Sequence, residues 1–269
     1  MKKILSLVLV TVLSFSLVGC GQASKNEKKN DNNKVIKVGA SPTPHSDILK
    51  VAKPLVEKEG YELDIVVFQD YIIPNTALNE KELDANFFQH IPFLEQVKNE
   101  KKYDLDYTAK IHIEPLGLYS KKIKGLNEIK EGVRIAVPKD PTNCSRALRL
   151  LEKNGLIKLK SGELVTSKDI VENPKNLKIE ELDSQQLPRV LDEVEGAVIN
   201  TNYALEAELN PLKDALVLED KDSPYANILV VRSEEKESDK IKVLTKALTS
   251  TEVKKYIEEK YEGSIIPTF

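Results

Sequence analysis

Cysteine and histidine are scarce in this 269-residue chain, with two and three copies, and neither sign of charge dominates: 40 basic against 43 acidic residues leave a formal net charge of −3. Charges so nearly balanced give no basic field for nucleic acid, and there is no arginine cluster or interleaved aromatic stripe to bind it. Nucleic acid is not expected as a partner. The phosphate loop GxxxxGK[ST], HExxH, GxSxG and the dinucleotide glycine fingerprint are all missing, so the common catalytic signatures are absent and no cofactor is implied. His45, His90 and His112 are far apart, none pairs at i,i+4, and no histidine-rich loop accompanies them, so no metal site is expected. An enzyme reading would rest on Cys144 meeting one of these histidines as a nucleophile pair; a partly buried structural thiol near a helix start is the stronger expectation. The body contains no internal repeat.

The N-terminus carries a clearer message. Lys2 and Lys3 precede an apolar stretch from Ile4 to Val18, broken by Ser6, Thr11, Ser14 and Ser16 and ending at Gly19 and Cys20. It is too short for a membrane span of roughly 20 apolar residues and has the layout of a secretory signal peptide, residues 1–19. Leu17, Val18, Gly19 and Cys20 resemble the lipobox of bacterial lipoproteins, in which the cysteine is lipidated and becomes the first mature residue. Residues 20–34 are rich in Asn, Lys, Ser, Asp and Glu with almost nothing apolar to bury, which reads as a flexible tether. With Cys20 committed to lipid, Cys144 is the only thiol left in the body, and no internal disulfide can form.

From Val35 onward, short β-rich runs alternate with helical patterns, the mark of an α/β fold with mainly parallel sheets. Strands are expected at Val35–Ala40, Leu63–Phe68, Arg134–Val137, Leu177–Leu182, Gly196–Asn200 and Ile228–Arg232. Helices are expected from about Ser46 to Gly60, at Ile91–Asn99, Ser145–Leu156, Gln186–Val194 and Tyr203–Glu208, and at Ile241–Leu248 and Val253–Tyr261, with a short one between Ile72 and Leu83. The extended run from Ala109 to Ser120 is interrupted by Pro115, which does not fit inside a central strand and marks a passage between sheets. Two α/β units joined by extended segments make a two-lobed architecture: residues 35–116 and 224–269 in one lobe, 117–223 in the other. The loops after the strands should line the cleft between them.

Several residues sit where such a cleft would be. Asp140 to Asn143 form a turn before a helix whose first turn holds Arg146, an arginine out of place beside a positive helix end unless an anion compensates it. Spacing alone leaves Arg146 open between a ligand contact and a solvated surface residue, and Asn200 open between a contact and a simple cap. For Tyr71, Phe88 and His90, pattern alone favours core packing.

The strings FQDYIIPNTALNEKELDANFFQHIPFLE, AKIHIEPLGLYS, DPTNCSRALRLLEKNGLIKL, DSPYANILVVR and EVKKYIEEKYEGSIIP, with the run from Glu172 to Ala207, resemble the NlpA lipoprotein family of methionine-binding proteins over nearly the whole body. The resemblance implies a type II periplasmic-binding-protein-like fold, no catalytic activity, and delivery of methionine to an ABC permease and ATPase. It also implies a protein held by lipid on the extracytoplasmic face of the cell membrane. Tyr71, Phe88 and His90 would surround the thioether, Arg146 would take the α-carboxylate, and Asn200 and Asn227 would complete the contacts to carboxylate and amine. Hinges would lie near Glu114 and Pro115 and near Pro224. Where the family often carries glycine, this chain has Cys144 and Ser145, which are expected to narrow the space beside the carboxylate. Binding of a methionine-containing dipeptide or another apolar amino acid is the alternative ligand reading, and a surface adhesin is the alternative of a different class.

Overall fold

The computed structural model describes residues 34–269. The signal peptide, Cys20 and nearly all of the tether lie outside the described residues. Within them the strands are β1 (Val35–Ala40), β2 (Glu62–Val67), β3 (Ala85–His90), β4 (Leu105–Ile113), β5 (Gly117–Tyr119), β6 (Arg134–Pro138), β7 (Lys158–Leu159), β8 (Ile170–Glu172), β9 (Lys178–Leu182), β10 (Gly196–Ile199), β11 (Ala215–Leu218), β12 (Ala226–Arg232) and β13 (Ile266–Pro267). The α-helices are α1 (Asp47–Lys58), α2 (Ile73–Asn79), α3 (Ile91–Lys101), α4 (Pro141–Lys153), α5 (Thr201–Glu206), α6 (Pro211–Asp214), α7 (Asp239–Leu248) and α8 (Thr251–Tyr261). None of the described helices is long and apolar enough to cross a membrane.

Two large sheets organise the chain into two lobes. One has the order β13-β4-β12-β3-β1-β2 and the other β11-β5-β10-β6-β9, with β7 and β8 forming a small separate ribbon. Sequence order assigns β1 to β4 to the first sheet, β5 to β11 to the second and the small ribbon, and β12 and β13 back to the first. The chain therefore passes between the sheets twice, once through Glu114–Leu116 and once through residues 219–225. Pro115 sits in the first passage, where a missing backbone N–H breaks no ladder bond.

Both sheets are mixed, not mainly parallel. β1 pairs in parallel with β2 and β3, and β6 with β9 and β10, but β12 runs antiparallel to β3 and β4, and β5 antiparallel to β10 and β11. The returning strand β12 enters the first sheet from a long connection, which frees it from the parallel geometry of a βαβ crossover. Its side chains alternate between two cores: Leu229 and Val231 pack with α1, α7 and α8, while Ile228 and Val230 pack with Leu78, Leu83 and Leu94 on the opposite face. β6 does the same, with Ile135 and Val137 under α4 and Ala136 facing Leu187 and Leu191. Burial on both faces explains why these strands read as continuous apolar runs.

Three local features depart from the pattern. β3 is a strand that the sequence does not advertise; all six of its residues are buried in the middle of the first sheet, and its sequence, ANFFQH, lacks a β-branched run. Residues 184–190 form a 3₁₀ helix with Pro188 inside it, in place of the expected α-helix. α4 begins at Pro141, four residues before the expected start, because Asp140 caps it and proline suits the first helical position.

Candidate functional site

The early start of α4 sets much of the local geometry. Asp140 accepts from the Asn143 backbone N–H at 2.9 Å and from its side-chain Nδ2 at 3.0 and 3.1 Å. With the side-chain amide of Asn143 held on that side, its Oδ1 turns outward and accepts from Asn200 Nδ2 at 2.9 Å and from His90 Nε2 at 3.1 Å. His90 is locked in turn: its Nδ1 accepts from the Phe93 backbone N–H at 3.1 Å, so the ring proton must be on Nε2. Burial leads the lowering of His90 to about 3, so the ring is neutral at physiological pH. A cap on α4 thus reaches across to a histidine at the end of β3.

Arg146 lies one turn further along α4 than expected, at the sixth helical position, and it is buried with 3% of its surface exposed. The anion that compensates it belongs to the protein. Nε donates to the Glu219 carboxylate at 2.9 and 3.1 Å, while Nη2 donates to Glu219 as well and to the Glu114 carbonyl at 2.7 Å. The guanidinium also lies over the Tyr225 ring, 4.3 Å from its centroid. Because Glu114, Glu219 and Tyr225 all belong to the two passages between the sheets, one side chain ties both passages together. The solvated-arginine reading is excluded by this burial.

Tyr71, Phe88, His90, Arg146, Asn200 and Asn227 all line one cavity of about 340 Å³, counting the space that opens toward solvent. Phe88 and His90 come from the second half of β3, Asn227 from the neighbouring β12 in register with both His90 and His112, and Arg146 and Asn200 from elements that follow β6 and β10. One end of the cavity is aromatic. The Tyr71 and Phe88 ring centroids are 5.8 Å apart, and Phe93 lies 5.9 Å from each. The Tyr71 hydroxyl donates to Asn202 Oδ1 and the Tyr203 hydroxyl to the Gln69 carbonyl, so hydrogen bonds span the cleft at this end too.

Five further residues belong to the site without having been singled out as ligand contacts from the sequence: Phe93, Glu114, Asn143, Asn202 and Tyr225. Phe93 has a readable signal, since His90 followed by Ile91 and Pro92 is a capped helix start that fixes the first-turn aromatic beside the histidine. Cys144 and Ser145 do not line the cavity, contrary to expectation. On α4 the cavity face carries Asn143 and Arg146 at i,i+3, whereas Cys144, Leu148 and Leu151 recur at helical spacing on the core face. Ser145 turns its Oγ to the Val165 backbone N–H. Burial pushes the Cys144 thiol up to about 12, with Glu181 beside it and no histidine among the groups that shift it, so the nucleophile pair is not assembled.

Two histidines that are distant in sequence do meet. His112 Nε2 lies 2.7 Å from Glu114 Oε1 and His45 Nε2 lies 3.3 Å from the same oxygen; His45 Nε2 also contacts Asn227 Oδ1 at 3.0 Å. The other Glu114 oxygen accepts from the Asn202 backbone N–H at 3.0 Å. The donor atoms of His45, His112 and Glu114 lie within 4.8 Å of one another and are of types that suit a metal ion, but hydrogen bonds already account for this arrangement. Burial leads the lowering of His45 to about 4, which leaves it neutral. Burial pushes the Glu114 carboxyl up, yet His45, the His112 hydrogen bond and Arg146 outweigh it and the net shift is downward.

The NlpA lipoprotein family model matches residues 36–269. The chain is 45% identical over 258 residues to a D-methionine-binding lipoprotein MetQ from Salmonella typhi, covering 94% of this chain and 93% of the relative. It is 42% identical over 274 residues to the methionine-binding lipoprotein MetQ of Bacillus subtilis, covering 99% of each. A solved nutrient-binding protein from Burkholderia cenocepacia, bound to methionine, superposes with a TM-score of 0.85 at 47% identity, covering 87% of this chain and 100% of that one. By its sequence along the whole body and by its two-lobed fold, the chain belongs to the NlpA lipoprotein family.

Proposed function

We propose that the protein captures free methionine between its lobes and delivers it to an ABC importer in the membrane. The observation that carries this reading is a single cavity with rings at one end and a buried guanidinium and amides at the other. A thioether is polarizable and lies well against the edges of Tyr71, Phe88 and Phe93, with His90 closing the ring cage. The dipolar head needs charge and hydrogen bonds once water is expelled. Arg146 supplies the charge for the α-carboxylate: Nε and Nη2 are engaged by the protein, and Nη1 has no hydrogen-bond partner among the described residues. Asn200 and Asn227 complete the polar contacts. Such a site binds and releases; it is a solute-binding protein's site, not an enzyme's.

In this reading, residues 35–116 and 224–269 form one lobe and 117–223 the other, and they swing about Glu114–Pro115 and the segment near Pro224. The cross-cleft bonds His90 to Asn143, Tyr71 to Asn202 and Tyr203 to Gln69 belong to the closed form. Ligand contacts from both sides favour that form over the open one. Lipid on Cys20 and the tether keep the body beside the permease on the extracytoplasmic face. Calorimetry with free amino acids, on protein unfolded and refolded to remove carried-over ligand, tests the proposal. Heat with L- or D-methionine is expected, and no heat with either enantiomer refutes it. Mass spectrometry of the molecule released on denaturation gives an independent answer.

A further inference from the structure

An interruption in β3 aims its side chains. The register against β12 slips between Ile228 and Leu229, which pair with Gln89 and Phe87 and leave Phe88 between them as a bulge. In a regular strand, residues three apart face opposite sides of the sheet. Here Asn86 and Gln89 share a side, joined by a 2.9 Å bond from Gln89 Nε2 to Asn86 Oδ1. Phe87 packs into the core with α1, α7 and α8, while Phe88 and His90 line the cavity.

The two amides of β3 grip the first turn of α2. Asn86 Nδ2 donates to the Pro74 carbonyl at 3.2 Å and to Asn75 Oδ1 at 2.8 Å. Asn75 and Gln89 form a reciprocal pair: Asn75 Nδ2 donates to Gln89 Oε1 at 2.9 Å, and Gln89 Nε2 donates to Asn75 Oδ1 at 2.7 Å. The Pro74 carbonyl orients the Asn86 amide, Asn86 orients Asn75, and Asn75 orients Gln89. Turning any one of them round sets donor against donor. All three are buried, and Gln89 alone among them also lines the cavity. Tyr71 stands one turn before Asn75, and Asp70 Oδ1 ties the chain between them by accepting from the Ile72 and Ile73 backbone N–H groups at 2.7 and 2.9 Å. The network therefore links the segment that carries Tyr71 to the strand that carries Phe88, whose rings lie 5.8 Å apart. Because every member comes from residues 70–90, this link needs no contact with the second sheet.

We propose that Asn75 and Asn86, acting with Gln89, are positioning residues that hold Tyr71 and Phe88 at a fixed separation before any ligand arrives, and so set the preference for a long apolar side chain. The inference rests on the proposed capture of methionine and deepens it. A slot between rings that is already formed costs no ordering when a side chain enters it. Buried amides suit this task, since their bonds are directional and leaving one unmade is costly, whereas apolar contacts let neighbours slide.

The test has a spectroscopic and a binding readout, both on protein stripped of ligand. Fluorine NMR of protein carrying 4-fluorophenylalanine reads the ring directly, with the Phe88 signal assigned by its loss in Phe88→Leu. Asn75→Leu keeps the size of the side chain but strands Gln89 Oε1; without ligand it is expected to shift or broaden the Phe88 signal and leave that of Phe269 in place. In titrations, the wild type is expected to favour methionine over the short 2-aminobutyrate by about 100-fold, and Asn75→Leu to lose about tenfold of that preference, nearly all of it through methionine. Ile257→Ala, in the core on the opposite face of the sheet, controls for destabilisation alone and should alter neither the signal nor the preference. An unmoved Phe88 signal or an unchanged preference in Asn75→Leu overturns the proposal, as does an Ile257→Ala variant that reproduces both effects. Should Asn75→Leu fail to fold, Asn86→Ala takes its place under the same criteria, since it removes both bonds from β3 to the Pro74 carbonyl and Asn75 Oδ1. If the wild type ignores methionine altogether, the methionine reading fails by itself; the Phe88 signal then decides the positioning role, which stands if it moves and falls if it does not.

Discussion

Replacing Arg146 with alanine should damage two separable properties. In the folded protein the guanidinium makes charge-assisted bonds to Glu219 and one to the Glu114 carbonyl, and it stacks on Tyr225. Breaking a fully buried pair costs about 3–5 kcal/mol. Glu219 keeps 17% of its side chain exposed and regains some water, so a loss of about 2–4 kcal/mol is expected from chemical denaturation without ligand. Affinity for methionine should fall by about 3 kcal/mol, roughly 100-fold, because the ligand carboxylate loses its cation. The double variant Arg146→Ala/Glu219→Ala tells the two apart. With neither charge left, much of the stability should return, while binding should remain weak. A single variant that loses less than about fivefold in affinity, or a double variant that recovers binding along with stability, refutes the assignment of Arg146 to the carboxylate.

Acid should act on the protein through its buried imidazoles. His45 and His90 are held at about 4 and about 3 in the folded state against an ordinary 6.5, so between those values the unfolded chain takes up protons that the native state refuses. Each imidazole therefore withdraws about 3 kcal/mol as pH drops from 7 toward 4, while Glu206, raised by burial to about 7, takes up a proton in the native state over the same range and offsets part of that loss; in a Glu206→Gln variant, which lacks the offset, a melting temperature that stays flat from about pH 7 to 4.5 would contradict the imidazole effect. Tyr71→Phe keeps the ring but removes the hydroxyl that bonds Asn202 across the cleft; calorimetry should record a loss of about 1 kcal/mol in methionine affinity, and no change would remove this bond from the closed state. Phe93→Ala opens the aromatic end and should cost methionine about 1–2 kcal/mol while sparing glycine-like ligands, which do not reach it. Cys144 should resist thiol reagents in the native protein and react only on unfolding, as peptide mapping would show; prompt labelling would mean that α4 does not pack as described.

Much of this architecture is legible in the sequence because local chemistry and tertiary environment agree. The strand at Val35–Ala40, the helix that follows it and the two C-terminal helices bury one periodic face each, and their patterns state it. Where the environment overrides the pattern, the pattern misleads. β3 is a central strand made of Asn, Phe, Gln and His because its polar side chains are satisfied by one another: Asn75, Asn86 and Gln89 form a buried amide network at 2.7–2.9 Å. Nothing in a one-dimensional pattern announces that those partners exist. At the start of α4, the capping residues Asp140 to Asn143 look like a free turn, and moving the helix start by four residues takes Arg146 away from the dipole conflict that the sequence suggests.

The same distinction separates the two kinds of site residue. Tyr71, Phe88, His90, Arg146, Asn200 and Asn227 come together from separate stretches of the chain, and only the resemblance to a family links them in advance; spacing leaves each with an ordinary alternative. Glu114 lies in a passage segment that Pro115 advertises, but its chemistry depends on His45 and His112 arriving from the loop after β1 and from β4. Its position in a passage between sheets is what joins the two roles. Its backbone carbonyl is held by Arg146 of α4 and its side chain by the Asn202 backbone N–H at the start of α5. Glu114 therefore joins α4 through its backbone and α5 through its side chain, so a substitution in either helix reaches the cavity through this one residue.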